Sequence, residues 1–318
     1  MIVPPILCVS ANPGLDFRLR LPTLAPGRII RAKSSEGLPG GKAVHVAMAA
    51  QALGARAIWL GFLGGGTGEE VASKVRELEI EIVRVPVNAP TRVNLEILEE
   101  SGRITEILSP GAPPKPAESR EMLRLYRSGL RRKWRGALVV ISGRLPSGVP
   151  SSFYRTLIRP ARSLGSLVFL DTSGEALRAS LSSRPAFVKP NQEEVEALLG
   201  RRLENQAAIV DACRELVRRG AASAAVSLGA EGLIWLEQKN GPVWLARPPH
   251  LNPVSTVGCG DATVGGFAIA AVRGLRGEAA LTLATACGAA NCLAESPGRI
   301  SSKVVEQMKR RVKVHRIA

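Results

Sequence analysis

The residues best equipped for chemistry lie in the run Ser255-Thr256-Val257-Gly258-Cys259-Gly260-Asp261-Ala262-Thr263-Val264-Gly265-Gly266-Phe267. Two glycines flank one small residue, and an apolar-periodic helix follows. Glycine lets backbone N–H groups turn toward a ligand, and a helix N-terminus adds favourable partial charge. The run therefore predicts an anion hole for a phosphoryl group. Asp261 stands at the helix start, where an aspartate taken alone reads as an N-cap. A carboxylate beside an anion hole can instead accept the proton of an attacking hydroxyl, orienting it for a transfer with a loose transition state. Cys259 reads as a small residue suited to a tight turn. Its sharper reading is an oxidisable thiol whose pKa is lowered by nearby amides.

Other spacings carry weaker signals. Pro39-Gly40-Gly41-Lys42 feeds a helix, and such a turn lets backbone approach a ligand closely, although the Walker spacing is absent. Asn191-Gln192-Glu193-Glu194 has the spacing of a helix capping box. Val226-Ser227-Leu228-Gly229-Ala230-Glu231-Gly232 reads as a strand followed by a turn, and Ala286–Asn291 as a closely packed helix. Asp16 reads as a turn residue at a strand start, and Arg31 and Arg92 as solvated charges.

The elements that must position these residues follow from apolar patterning. Ile6–Ser10, Ala57–Phe62, Ala137–Ser142, Leu167–Asp171, Phe187–Lys189 and Ala224–Leu228 predict buried parallel strands. Helical spacing falls between them, at Lys42–Leu53, Gly68–Leu78, Ser119–Lys133, Ser152–Leu164, Gln192–Leu199 and Gln206–Arg219. Repeated strand–helix units imply a mostly parallel sheet covered on both faces. Two segments break the rhythm. Asp16–Leu21 alternates, with Phe17, Leu19 and Leu21 on one face and Asp16, Arg18 and Arg20 on the other. Arg92–Leu98 and Arg103–Leu108 flank a hairpin signal. Together they predict a half-exposed β-lid.

Composition bounds the rest. The chain has 318 residues, 45% hydrophobic and 22% charged, which excludes wholesale disorder. Five cysteines without a Cys-x-x-Cys pair indicate neither a zinc site nor a disulfide framework. A reducing cytoplasm is the expected location. No run of about 18 apolar residues predicts a membrane span. Met1–Val9 is apolar without a basic leader and reads as a first strand, not a signal peptide. The net charge of +16 suits anionic partners. Aromatics at 4% argue against a platform for single-stranded nucleic acid. The basic end Lys309–Arg316 reads as solvated.

The glycine-flanked aspartate resembles the second signature of the PfkB (ribokinase-like) carbohydrate kinases, and its Ser-Thr-Val-Gly opening resembles the phosphofructokinase branch, which here includes the tagatose-6-phosphate kinases. Pro39–Ala47 resembles the first signature. Ala43 stands there in place of the usual glycine, and His45 in place of an asparagine that bonds a sugar hydroxyl. Asn12-Pro13-Gly14-Leu15-Asp16 resembles the opening motif. Ile141–Gly148 resembles a third, with Arg144 in place of serine. The resemblance runs from about Asn12 to about Cys292. It implies an α/β ribokinase-like three-layer sandwich with a mostly parallel central sheet and a small β-sheet lid. One kinase domain would span 1–318, with lid insertions at about 16–38 and 91–109.

By the same resemblance Asp261 is the catalytic base, and the amides of Gly258, Cys259 and Gly260 form the anion hole. Asp16, Arg31, Gly40, Gly41, Lys42, His45, Arg92 and Ser142 bind the acceptor. Arg31 and Arg92 hold its existing phosphate. Lys189, Asn191, Ser227, Gly229, Gly232, Ser255, Val257 and Asn291 bind the nucleotide, and Asn191 and Glu194 organise magnesium. The resemblance implies an ATP- and Mg2+-dependent kinase acting on a small-molecule sugar phosphate, with fructose 1-phosphate as the expected acceptor. Tagatose 6-phosphate and fructose 6-phosphate are the near alternatives. It also implies a homodimer through the lid. The rival class is a noncatalytic ligand or nucleic-acid binder, with a basic stripe at Arg124, Arg127, Arg131, Arg132, Lys133 and Arg135. The retained Asp261, Asn191, Glu194, Arg31 and Arg92 argue against it, and a nucleic-acid partner is not expected.

Overall fold

A computed structural model describes residues 3–318. Its strands are β1 (Ile6–Ser10), β2 (Gly14–Leu21), β3 (Ser34–Gly40), β4 (Ala57–Leu63), β5 (Glu81–Pro86), β6 (Arg92–Glu99) and β7 (Ile104–Ile107) in the first third. There follow β8 (Leu138–Ser142), β9 (Val168–Asp171), β10 (Phe187–Val188), β11 (Ala224–Ser227), β12 (Leu233–Leu236), β13 (Val243–Arg247) and β14 (Lys313–Arg316). Ten of these form one sheet in the order β14-β13-β12-β11-β10-β9-β8-β1-β4-β5. From β5 to β11 the strands are parallel, and β12, β13 and β14 continue antiparallel. The six expected parallel strands all lie in the parallel part.

The reason for the layering is visible in β1. Every residue of Ile-Leu-Cys-Val-Ser is buried. Ile6 and Cys8 point into one apolar core, Leu7 and Val9 into the other. Side chains alternate along a strand, so a continuous apolar run requires cover on both faces. The first core is closed by the helices Lys42–Ala52, Cys259–Val272, Gly277–Cys292 and Ser302–Lys309. The first three of these are together rich in alanine and glycine, and they pack closely. A Cβ on Gly266 would stand 2.6 Å from Ala284 Cα. A Cβ on Gly265 would stand 3.0 Å from Ala49 Cβ, and that close approach seats Asp261 beside the helix that carries His45. The second core is closed by Pro116–Arg131, Phe153–Ser163, Gly174–Leu181, Gln192–Leu199 and Gln206–Arg218.

The four remaining strands form a smaller sheet in the order β3-β2-β6-β7. β2 and β6 run parallel with Asp16 opposite Asn94 and Arg18 opposite Glu96. Here the sequence pattern misled. Arg18 is not solvated but is 1% exposed. Its Nη2 lies 2.8 Å from Glu96 Oε2, and its Nη1 donates to Ser296 Oγ at 3.2 Å and to the carbonyl of Glu295. Alternation marks two faces but does not say which one meets solvent. The polar face of β2 turns toward the body of the molecule, and the ion pair compensates the buried charge.

At the N-terminal end the first strand is shorter than expected. The first strand starts at Ile6, and Met1 and Ile2 of the expected strand lie outside the described residues. The basic C-terminal stretch is not a loose end, because Lys313–Arg316 pairs with β13 as an edge strand. Its exposed charges protect that edge from further pairing. Among the described residues no helix is long and apolar enough to cross a membrane.

Replacing Arg18 with alanine strands the buried Glu96 carboxylate. Arg18→Ala is expected to lower unfolding free energy by about 3–5 kcal/mol in urea titrations. The paired change Arg18→Met with Glu96→Leu is expected to cost less than the single one. A single-variant loss below about 1 kcal/mol, the scale of an exposed pair, would refute the buried pair.

Candidate functional site

Gly258 adopts a φ of +78° and serves as the N-cap of the Cys259–Val272 helix. The first intrahelical bond runs from Ala262 N–H to Gly258 O at 2.9 Å. The N–H groups of Gly260 and Asp261 precede it and have no acceptor in the helix, which is the general condition of a helix start. The Cys259 N–H is turned to Thr256 O at 3.3 Å. Asp261 is therefore the third helical residue and not the N-cap expected from its position alone. Its carboxylate is buried, and Oδ2 lies 2.9 Å from His45 Nδ1.

His45 joins the smaller sheet to the helix that carries Asp261. It sits on the Lys42–Ala52 helix, 5% exposed, and its Nε2 lies 3.8 Å from Asp16 Oδ2 on β2. Asp16 Oδ1 accepts a 2.6 Å hydrogen bond from Asn94 Nδ2. Gly40 pairs with Gly14 across β2 and β3, and any Cβ there would collide with the Asp16 carboxylate. Burial pushes the imidazole pKa down most strongly, but the hydrogen bond to Asp261 and the charges of Asp261, Asp16 and Glu96 outweigh it. The net direction is upward, so the imidazolium is favoured. Ala43, the other departure in this signature, packs fully buried in the first core.

A second cluster forms at the carboxyl ends of the central strands, where open α/β sheets bind ligands. Ser142 ends β8, and its Oγ donates to Asp171 Oδ2 at 2.9 Å. Lys42 Nζ lies 3.4 Å from the same oxygen. Burial opposes the charge of Asp171, but Lys42, Lys189 and Ser142 outweigh it and hold its carboxyl below the usual range. Lys189 is buried, with its Nζ 3.5 Å from Ser227 Oγ. A Cβ on Gly260 would stand 3.4 Å from Lys189 Nζ, so the ammonium faces the glycine turn. Gly229 and Gly232 shape the turn that follows Ser227. Asn191 bridges to Ser227 in the backbone.

Several expected ligands are engaged in structural bonds. Asn191 Oδ1 accepts from Glu194 N–H at 2.8 Å, and Glu194 Oε2 accepts from Asn191 N–H at 2.9 Å. This is the capping box its spacing suggested. Asn291 Nδ2 donates to Val257 O at 2.7 Å, and its Oδ1 accepts from Gly298 N–H at 2.8 Å. Ser255 Oγ accepts from Val257 N–H at 3.1 Å. These bonds fix the loop before the glycine turn. Arg92 donates to the carbonyls of Ser109, Asn12 and Pro13 at 2.6, 3.1 and 3.4 Å. Arg31 is exposed between β2 and β3, and Arg144 is exposed after β8. Gly41 has a φ of +100° and opens the His45 helix.

Three site residues escaped the sequence reading. Asp171 had a usable signal, an aspartate at the carboxyl end of a buried strand. Asn94 and Glu96 had none, because their importance arises from the β2–β6 register. Cys259 sits in the tight turn as its plain reading expected, and only the sharper reading of a lowered thiol pKa is corrected. Its thiol pKa is pushed up, because it bonds to Cys292 Sγ at 3.0 Å and is partly buried.

Residues 12–303 match the sequence profile described as pfkB family carbohydrate kinase. The chain belongs to that family. A 1-phosphofructokinase of Escherichia coli strain K12 is 32% identical over 286 residues, covering 89% of this chain and 89% of the relative. A tagatose-6-phosphate kinase of Staphylococcus epidermidis is 28% identical over 313 residues, covering 97% and 99%. The crystal structure of phosphofructokinase-2 from Escherichia coli in complex with fructose-6-phosphate aligns with a TM-score of 0.88 at 29% identity, covering 98% of this chain and 99% of that one. The fold is thus the ribokinase-like sandwich of the pfkB kinases, and the general activity is sugar-phosphate kinase activity. PfkB kinases generally use ATP and Mg2+. Among the described residues no cluster of three metal-binding side chains exists. The donor set still fits magnesium, which needs few carboxylates and keeps several waters. Asp171 Oδ1 is buried without a hydrogen-bond partner, and Glu194 uses only Oε2 in its cap.

The raised His45 pKa makes stability depend on pH. The contribution is fully present below about pH 6.5, the ordinary histidine value, and is lost as pH rises through the raised folded-state value. The difference in unfolding free energy between the native chain and His45→Asn is therefore expected to change in that direction above pH 6.5. Urea titrations at several pH values measure it, and a difference independent of pH would refute the charged bridge.

Proposed function

We propose that this kinase transfers the γ-phosphoryl group of ATP to a hydroxyl of a ketohexose phosphate. Fructose 1-phosphate is the acceptor in this reading and fructose 1,6-bisphosphate the product. The observation that carries it is the buried Asp261 carboxylate, set in the first turn of a helix whose N–H groups at Gly260 and Asp261 lack intrahelical partners. That pairing supplies a proton acceptor beside an anion site. The 1-phosphofructokinase relative favours the 1-phosphate, while the tagatose-6-phosphate kinase and the fructose-6-phosphate complex keep the 6-phosphates in the test.

In the proposed reaction the acceptor hydroxyl approaches Asp261, which orients it and takes its proton late. Asp16 and Asn94 hold neighbouring hydroxyls, with His45 between the two aspartates. The N–H groups of the glycine turn receive the transferring phosphoryl, and Lys189 balances its charge. Asp171 fixes Lys42 and Ser142 at the edge of that site. Arg31 and Arg92 hold the acceptor's own phosphate; Arg92 retains N–H groups beyond those bound to carbonyls. Glu194, Asn191 and Asp171 would hold magnesium mainly through water, and the ion would screen the phosphate charge. The smaller sheet acts as a lid that excludes water and so spares ATP from hydrolysis.

Ile29, Ile107 and Leu108 are exposed on this smaller sheet and its loops. They support a homodimer formed through it. Sedimentation is expected to show a dimer, converted to monomer by Ile107→Lys with Leu108→Lys. A monomeric native chain would refute the pairing.

The function is tested by ADP release with ATP and Mg2+ on fructose 1-phosphate, fructose 6-phosphate, tagatose 6-phosphate and unphosphorylated sugars. The highest kcat/KM is expected on fructose 1-phosphate. Asp261→Asn is expected to lower kcat by about 10²–10⁴-fold, the usual contribution of a general base. Preference for an unphosphorylated sugar, or an Asp261→Asn variant with native kcat, would overturn the reading.

A further inference from the structure

Two of the five cysteines meet at the glycine turn. Cys259 is the first residue of its helix, and Cys292 is the last residue of the Gly277–Cys292 helix. Their sulfurs lie 3.0 Å apart, and the residues are 33 positions apart in the chain. Both are half-buried, whereas Cys8, Cys213 and Cys287 are buried. The segments are already tied together. Val254 N–H donates to Cys292 O at 2.7 Å, and Asn291 Nδ2 reaches both Val257 O and Cys259 Sγ. A disulfide needs sulfurs about 2.05 Å apart, so closure asks for about 1 Å of movement.

We propose that Cys259 and Cys292 form a reversible disulfide that switches off phosphoryl transfer. The two thiols have distinct parts. The two thiols share one hydrogen bond at 3.0 Å, a contact that pushes the Cys259 thiol up and holds the Cys292 thiol below its ordinary value. As the more acidic thiol of the pair, Cys292 is the nucleophile in this proposal and Cys259 the resolving thiol. The oxidant is a hydroperoxide. Cys292 sulfur attacks its oxygen, the O–O bond breaks, and Cys292 becomes a sulfenic acid. With hydrogen peroxide the leaving group departs as water. Cys259 sulfur then attacks the sulfenic sulfur, the S–S bond forms, the S–O bond breaks, and a second water carries off the Cys259 proton. Two thiols and one peroxide give one disulfide and two waters. A small dithiol reverses the step by exchange and is itself oxidised.

The bond would anchor Cys259, between Gly258 and Gly260, to the end of another helix. The N–H groups of that turn would no longer take up a transferring phosphoryl. The inhibition rests on the proposed kinase reading, but the disulfide does not.

The experiment treats the full chain with hydrogen peroxide and titrates thiols after denaturation. Free thiols are expected to fall from five to three. Peptide mapping is expected to link Cys259 to Cys292. The kcat on the best acceptor is expected to fall at least about tenfold and to return with dithiothreitol, because cytosolic disulfides are typically transient and regulatory. Cys292→Ser is expected to keep basal activity and to retain it after the same treatment without a disulfide. Five remaining thiols, a link between other cysteines, or a disulfide that leaves kcat unchanged would each overturn the proposal. Absence of turnover in the reduced chain would instead defeat the kinase reading, while the thiol count and peptide map still decide the bond.

Discussion

Asp16 on the smaller sheet and Asp261 on a helix of the first core meet across a single imidazole. Two carboxylates this close, one buried and one partly so, repel each other unless a cation or a donor lies between them. His45 fills that place at 2.9 Å from one and 3.8 Å from the other. Much of the nearby structure follows from this junction. Gly40 must lack a side chain, because Asp16 occupies that space. Asn94 must face Asp16 across β2 and β6, which fixes their register. The helices carrying His45 and Asp261 must touch, which calls for the alanines and glycines along them. Arg18 and Glu96, one step further on the same face, extend the alternation of charge into the cleft and clasp the smaller sheet to Ser296.

On the other side of the glycine turn the balance reverses. Lys42 and Lys189 surround one carboxylate, Asp171, so the cationic side of the site is itself held by a buried anion. An incoming polyphosphate meets unpaired N–H groups and two ammonium groups. An incoming hydroxyl meets aspartates. The site thus separates electrostatically into a half suited to the phosphoryl donor and a half suited to a hydroxylated acceptor. A shared helix start lies between them, which is where the proposed transfer places the phosphoryl group.

The parallel core was legible because its strands are buried on both faces and read as unbroken apolar runs. The glycine turn was legible because a glycine pair flanking a small residue at a helix start has few structural uses. Residue roles were legible less often. The capping spacing of Asn191 and Glu194 is real, and the cap consumes oxygens that a ligand list would assign to metal. Arg18 reads as a surface charge until the partner strand supplies Glu96. Asp171, Asn94 and Glu96 matter through contacts with residues far away in sequence, which no local pattern encodes. β14 carries a weak apolar signature as a charged edge strand, whereas β12 and β13 are short runs that local patterning does not separate from turns. His45 stood out only as a departure from the family signature, and its contact with Asp261 required the packing of two helices.

The central claim is that His45 is a cationic bridge between two carboxylates. Nitrogen-15 NMR of the ring nitrogens tests it directly, and the chain has only three histidines, so His45→Asn assigns the signals. At pH 6.5 the account predicts that the His45 ring is mostly protonated on both nitrogens, with a midpoint above that pH. A ring mainly neutral at pH 6.5 would contradict it, leaving the two aspartates without the charge that holds them together.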